Sequence, residues 1–247
     1  MKTAVIIPAR FASSRLPGKP LLRATGKYLI QHVYEQACQS CADYVVVATD
    51  DARIMKAVAS FGGQSVLTRD DHPSGTDRVA EVAQRLDADL VMNLQGDEPL
   101  IEPATLDLLP RLLQENVDAD VATLAVPITS LKQWQDPNCV KVVRDALGQA
   151  LYFSRSPIPF VRDGKPDFTS GQFLQHLGLY AYRKSFLLQL ATSPAQPLEE
   201  FEKLEQLRVL ALGHRIMVGT VQHATWGVDT PADYERFVKM YQSSLAA

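Results

Sequence analysis

Ala4-Val5-Ile6-Ile7-Pro8-Ala9-Arg10-Phe11-Ala12-Ser13-Ser14-Arg15-Leu16-Pro17-Gly18-Lys19-Pro20 changes character abruptly at Pro8. Four apolar residues give way to a loop holding three cations, two serines and one glycine. An uninterrupted apolar run this short, rich in branched residues, reads as a strand buried on both faces. It is too short for a membrane span or a signal-peptide core. The chain is therefore expected in the cytoplasm, with no membrane partner.

The same alternation continues downstream. Leu29–Gln39 has helical spacing through Ile30, Val33 and Ala37, and Tyr44–Ala48 is the next strand. Arg53–Phe61 reads as a helix closed by Gly62-Gly63, Gln64–Leu67 as a strand, Thr76–Leu86 as a helix and Leu90–Asn93 as a fourth strand. This β-α rhythm predicts an α/β fold with a mostly parallel sheet flanked by helices. Ligands of such sheets sit beyond the carboxyl ends of the strands. The second half is less regular. Ala119–Pro127, Val140–Arg144, Ala150–Ser154, Leu174–Tyr182 and Met217–Gln222 read as strands, Leu198–Leu212 as one helix, and Pro157–Gly171 as an exposed loop. Thr230-Pro231-Ala232-Asp233 has the chemistry of a helix start: a capping hydroxyl, Pro at the first helical position and an acid three residues on. No linker divides the 247 residues, which are expected to form a single domain, 1–247.

Apolar residues make up 46% of the chain and charged residues 21%, enough for a packed core and too ordered a balance for disorder. A net charge of -3 argues against nucleic acid, which calls for a basic excess. Cys38 and Cys41 have C-x-x-C spacing, but no second ligand pair accompanies them, and Cys139 stands alone. They read as ordinary reduced thiols of a cytosolic protein.

Three segments carry chemistry. The loop after the first strand can wrap a polyphosphate: Arg10 and Arg15 offer planar forks, Lys19 a point charge, and Gly18 lets the backbone approach. It lacks the G-x-x-x-x-G-K-[ST] spacing of a Walker loop, and a solvated basic loop is the plain alternative. Asp97, in Gln95-Gly96-Asp97-Glu98-Pro99 after the fourth strand, is placed to hold Mg²⁺ beside phosphates, or simply to make a turn. Asp229 precedes the last helix; it can serve that helix start and its dipole, but Thr230 is better placed to cap, which leaves Asp229 available as a second metal carboxylate. Ser74-Gly75-Thr76-Asp77-Arg78 opens a helix, so its amides can face an anion, and Ser74 or Thr76 can also cap. No side chain stands out as a general base.

These segments together resemble one family. The I-P-A-R-x-x-S-S-R-L-P-G-K-P-L loop is similar to the signature of the sugar-acid cytidylyltransferases, and of the 3-deoxy-manno-octulosonate (Kdo) cytidylyltransferases in particular. The likeness recurs in order at Val47–Asp50, Ser74–Arg78, Asn93–Pro99, Tyr152–Arg155, His176–Tyr180, Leu204–Leu210 and Gly227–Pro231. It implies a Rossmann-like nucleotidyltransferase fold with a smaller irregular α+β acceptor and dimerisation region at 126–212. It also implies the reaction of CTP with Kdo to CMP-Kdo and pyrophosphate, for lipopolysaccharide biosynthesis, with Mg²⁺ as cofactor and a homodimer as the working form. Carried over, the nucleotide contacts are Ala9, Arg10, Arg15, Lys19, Ser74, Gly75 and Arg78, with Arg78 beside the base. The catalytic set is Arg10, Lys19, Asp97 and Asp229, the last two as metal ligands. The sugar contacts are Gln95, Arg155, His176, Tyr180, Glu205 and Gln206. Singly these last are weak: His176 is also a plausible core histidine, and Glu205 and Gln206 the polar face of a helix. An amino-substituted Kdo or a sialic acid as acceptor, a non-catalytic nucleotide binder, and a redox protein using Cys38 and Cys41 are the competing readings.

Overall fold

The computed structural model describes residues 1–12, 16–224 and 226–245. The chain divides into two compact units, Met1–Asp107 with Thr225–Ala247, and Leu108–Ala224. Among the described residues no helix is long and apolar enough to cross a membrane.

In the first unit β1 (Thr3–Ala9), β2 (Tyr44–Thr49), β3 (Ser65–Leu67) and β4 (Leu90–Asn93) run parallel in the order β3-β2-β1-β4. The crossovers are α1 (Leu29–Ala37), α2 (Ala52–Ser60) and α3 (Gly75–Gln84). Ala4 to Ile7 are fully buried: β1 has a strand on each side, and α1 and α3 pack on it. Right-handed crossovers put α1 and α2 on one face and α3 on the other, because the direction of travel reverses after β3. The reversal leaves a crevice at the carboxyl ends of β1 and β4, where such folds bind ligands. Gly96 lets the chain leaving β4 press against β1: a Cβ there would lie 2.9 Å from the carbonyl oxygen of Pro8. α4 (Pro103–Glu115) follows, and α9 (Pro231–Leu245) closes the unit over Leu16, Leu29, Val228 and Phe237.

Caps fix these helix starts. Ser74 and Asp77 form a reciprocal capping box at α3. The expected cap of the last helix is present too, with Asp233 N donating to Thr230 Oγ1 at 3.2 Å and Thr230 N to Asp233 Oδ2 at 2.9 Å.

The second unit is mixed, as its irregular patterning suggests. β5 (Val121–Pro127) pairs antiparallel with β8 (Leu174–Arg183) and parallel with β9 (Ile216–Thr220). β6 (Lys141–Arg144) pairs antiparallel with β7 (Ala150–Ser154) and β8. Two short helices, α5 (Leu131–Gln135) and α6 (Lys184–Thr192), decorate it. The single helix expected over Leu198–Leu212 is corrected to two, α7 (Pro197–Glu202) and α8 (Gln206–Ala211). The break is at Lys203, a non-glycine residue in the left-handed region at φ 53°. Arg155 stabilises it by donating to the carbonyls of Glu202 (2.7 Å) and Lys203 (3.4 Å), the acceptors a helix end leaves over. Lys141 is fully buried, and its ammonium donates to the carbonyls of Asp136, Cys139 and Arg155.

Two buried groups make the first unit's stability testable. Arg78 on α3 is fully buried; it bonds to Thr68 after β3 and to Asp50 after β2, the latter at 2.7 Å. Removing one partner of such a pair strands the other charge, so Arg78→Ala should lower the unfolding free energy by about 3 kcal/mol, read from urea denaturation. His32 on α1 packs edge-on against Phe237 and Tyr241 of α9, with Nε2 2.7 Å from Thr25 Oγ1. Burial holds it neutral, lowering its pKa from 6.5 to about 4. Between those values the unfolded chain takes up a proton that the folded one refuses, so this contribution is present above pH 6.5 and lost as pH falls towards 4. A His32→Phe variant should show a shallower stability loss across that window than the parent chain.

Candidate active site

The crevice between the ends of β1 and β4 holds a cavity of about 330 Å³, lined by Ala9, Arg10, Lys19, Gln95, Asp97 and Asp229 together with Pro8, Ala12, Pro20 and Gly96. Each side chain arrives by a local device. Gly18, in the left-handed region at φ 66°, starts a 3-10 turn over Lys19–Leu21, and its N–H closes the loop onto the carbonyl of Phe11 at 3.3 Å. Arg53 stacks on the Phe11 ring with its guanidinium carbon 3.4 Å from the centroid. Lys19 is thereby directed inwards, and its side chain is only 14% exposed.

The Lys19 ammonium donates to Asp97 Oδ2 at 2.7 Å and to Asp229 Oδ1 at 3.2 Å. The two carboxylates come from opposite ends of the chain, and their backbones are laced together: Val228 N donates to the Asp97 carbonyl at 2.8 Å. Thr230 and Asp233 cap α9, so the Asp229 carboxylate turns towards Lys19 instead. Both carboxylates thus point at one cationic centre. Among the described residues no group of three or more His, Cys, Asp or Glu is arranged around a metal. Two carboxylates are nonetheless sufficient for a cation that completes its shell with phosphate and water.

Arg10 reaches across to the segment before α3, donating to the carbonyl of His72 at 2.8 Å, while His72 bonds Glu81 at 2.6 Å. Ser74 and Gly75 stand at the N-terminus of α3, where the helix dipole favours an anion. Gln95 Nε2 lies 3.4 Å from Asn93 Oδ1 at the cavity wall. Arg78 does not line the cavity; its guanidinium lies beneath the β2 and β3 ends on Asp50 and Thr68. Arg15 falls outside the described residues.

Of the residues expected to hold the sugar, five belong to the second unit. His176 and Tyr180 share a face of β8 with ring centroids 5.4 Å apart. Burial lowers the His176 pKa to about 3 and raises that of Tyr180, which also feels the charges of Tyr182 and Glu205. Gln206 begins α8 with Glu205 just before it, and the buried Gln206 side-chain nitrogen has no hydrogen-bond partner among the described residues. Arg155 differs in kind. Its guanidinium is bonded to the carbonyls of Pro137, Glu202 and Lys203, and its N–H to the Glu202 carboxylate. Glu202, which also accepts from the Ser154 hydroxyl at 2.6 Å, went unnoticed in the sequence, where it is one acid among several in Leu198–Lys203.

The thiols carry no redox signature. Cys38 and Cys41 both have raised pKa values, Cys41 to about 11, chiefly from desolvation, whereas a reactive cysteine needs an accessible thiolate.

Comparison with known proteins gives one answer. Residues 4–216 match the cytidylyltransferase family. The 3-deoxy-manno-octulosonate cytidylyltransferase of Syntrophobacter fumaroxidans is 52% identical over 242 residues, spanning 96% of both chains. That of Geobacter sulfurreducens is 50% identical over 97% of this chain and 99% of its own. A solved CMP:2-keto-3-deoxy-manno-octonic acid synthetase complexed with CTP has a TM-score of 0.93 at 44% identity, over 99% of this chain and all of its own. A cytidylyltransferase from Leptospira borgpetersenii, 19% identical with a TM-score of 0.64, shares the fold. With a cavity at the strand reversal, a lysine between two converging carboxylates and full-length likeness at this level, the chain belongs to the 3-deoxy-manno-octulosonate cytidylyltransferases.

Proposed function

We infer that this chain joins CTP to Kdo, releasing pyrophosphate and forming CMP-Kdo. The observation that carries the reading is the meeting of Lys19, Asp97 and Asp229 in a cavity beside the N-terminus of α3. In the reaction the anomeric hydroxyl of the sugar attacks the α-phosphorus in line. A phosphorus–oxygen bond to the sugar forms, the bond to the β-phosphate oxygen breaks, and the hydroxyl proton is released. Phosphoryl chemistry of this kind depends on positioning and charge stabilisation. Lys19 and Arg10 neutralise charge on the phosphates, and Ala9, Ser74 and Gly75 present backbone to the nucleotide. Asp97 and Asp229 fit a divalent cation, since both already aim at one positive centre; Mg²⁺ bound there would neutralise the phosphates and polarise the α-phosphate.

His176, Tyr180, Glu205, Gln206 and Gln95 are assigned to the sugar acid, with Arg155 holding the α7–α8 corner from which Glu205 and Gln206 project. The same reading makes the working form a cytoplasmic homodimer built on residues 126–212. Phe160 and Phe201, over four-fifths exposed within that stretch, support a surface that pairs.

Pyrophosphate release, measured with CTP, UTP, ATP and GTP against a panel of sugar acids, tests the function. Turnover confined to CTP with Kdo is the expected result. Turnover only with an amino-substituted Kdo or a sialic acid moves the acceptor assignment, and calorimetric CTP binding without release under any acceptor makes the protein a binder. Asp97→Asn should cut turnover by ~10²–10³ with an unchanged circular dichroism spectrum. Wild-type rates for that variant under limiting Mg²⁺ would remove the metal assignment.

A further inference from the structure

Thr123 is a polar intruder in an apolar strand, Val121-Ala122-Thr123-Leu124-Ala125-Val126, and it is fully buried. A hydroxyl in such a place is costly unless bonded. Its three partners all lie on β8: the carbonyl of Leu177 at 3.1 Å, the carbonyl of Leu179 at 2.7 Å and His176 Nε2 at 2.9 Å.

These partners straddle a register shift. Ala125 stands opposite His176 and Leu124 opposite Leu177, but Thr123 stands opposite Tyr180, so Gly178 and Leu179 are bulged out. In a regular strand, residues four apart are separated by about 13 Å. The bulge shortens that distance and brings the His176 and Tyr180 rings to 5.4 Å. The Thr123 hydroxyl bonds the carbonyls at both ends of the bulge.

The same hydroxyl sets a proton. It has one hydrogen to donate and lone pairs to accept with. Its donation goes to the bulge carbonyls, Leu179 being the nearer, so towards His176 it accepts. His176 therefore carries its hydrogen on Nε2. Burial keeps the ring neutral, and Nδ1 is then a bare acceptor with no hydrogen-bond partner among the described residues.

The geometry points to Thr123 as a positioning residue of the acceptor site: it holds the β8 bulge that joins Tyr180 to His176, and it locks His176 in the Nε2–H tautomer. His176 Nδ1 then receives a hydrogen bond from a hydroxyl of the sugar acid, not a charge contact from its carboxylate. This rests on the assignment of His176 to the acceptor.

Thr123→Val removes the hydroxyl at nearly constant shape, and Thr123→Ser keeps it. The valine variant should raise the KM for Kdo about tenfold without changing the KM for CTP, and the serine variant should behave as the parent enzyme. Nitrogen-15 spectra of histidine-labelled full-length protein, with His176 signals assigned by difference from a His176→Gln variant, should show the Nε2–H form in the parent and serine enzymes and a tautomer mixture in the valine enzyme. An Nδ1–H form in the parent overturns the proposal even where Thr123→Val does not fold. An unchanged KM for Kdo in a folded valine variant overturns it too. His176→Gln separates the two levels. Unaltered Kdo kinetics there remove His176 from the acceptor site and with it the underlying assignment, whereas altered kinetics beside a normal valine variant sink the positioning role alone.

Discussion

Two carboxylates that converge repel each other, and this site depends on the ammonium that resolves that repulsion. Lys19 reaches Asp97 and Asp229 from a third loop, so segments separated by as many as 210 positions are tied at one charge. The surrounding backbone makes the arrangement rigid. Val228 bonds the Asp97 carbonyl, Gly96 passes close to Pro8, and Thr230 with Asp233 takes over the capping of α9. Partial burial of Lys19 strengthens the attraction, because less water screens it.

Charge arithmetic then connects this cluster to nucleotide chemistry. One ammonium between two carboxylates leaves a net negative centre. A triphosphate beside it demands further positive charge, which Arg10, the α3 N-terminus and the proposed Mg²⁺ would supply. The topology makes this convergence available, since the strand reversal opens the crevice that Arg10, Lys19, Asp97 and Asp229 line.

The second unit reaches its geometry by a different route, through irregular backbone held by polar side chains. Lys203 breaks what would be one helix, and Arg155 satisfies the carbonyls exposed by the break. Thr123 does the same for the β8 bulge. In both cases a polar side chain on one element binds the main chain of another, so side chains distant along the chain are presented together. Arg155 shows how such a role is built: three of the five N–H groups of its guanidinium go to main-chain carbonyls.

The sequence by itself determined the parallel half of the fold, because fully buried strands read as apolar runs and crossover helices carry period-3.6 patterns. Leu90–Asn93 and Ala150–Ser154 agree with the structure to the residue. It also marked Lys19, Asp97 and Asp229, because charged residues directly after apolar strands, or at a helix start, are conspicuous. It did not show α4, where Pro110 interrupts the helical signal, nor the short α5 and α6. Only the tertiary structure decided that Arg78 lies under the strand ends, that Leu198–Leu212 breaks at Lys203, and that Thr123 holds the β8 bulge while Glu202 bonds Ser154 and Arg155. The physical reason is common to all four. Each depends on a polar side chain whose partner lies across the fold, and local patterning carries no record of that partner.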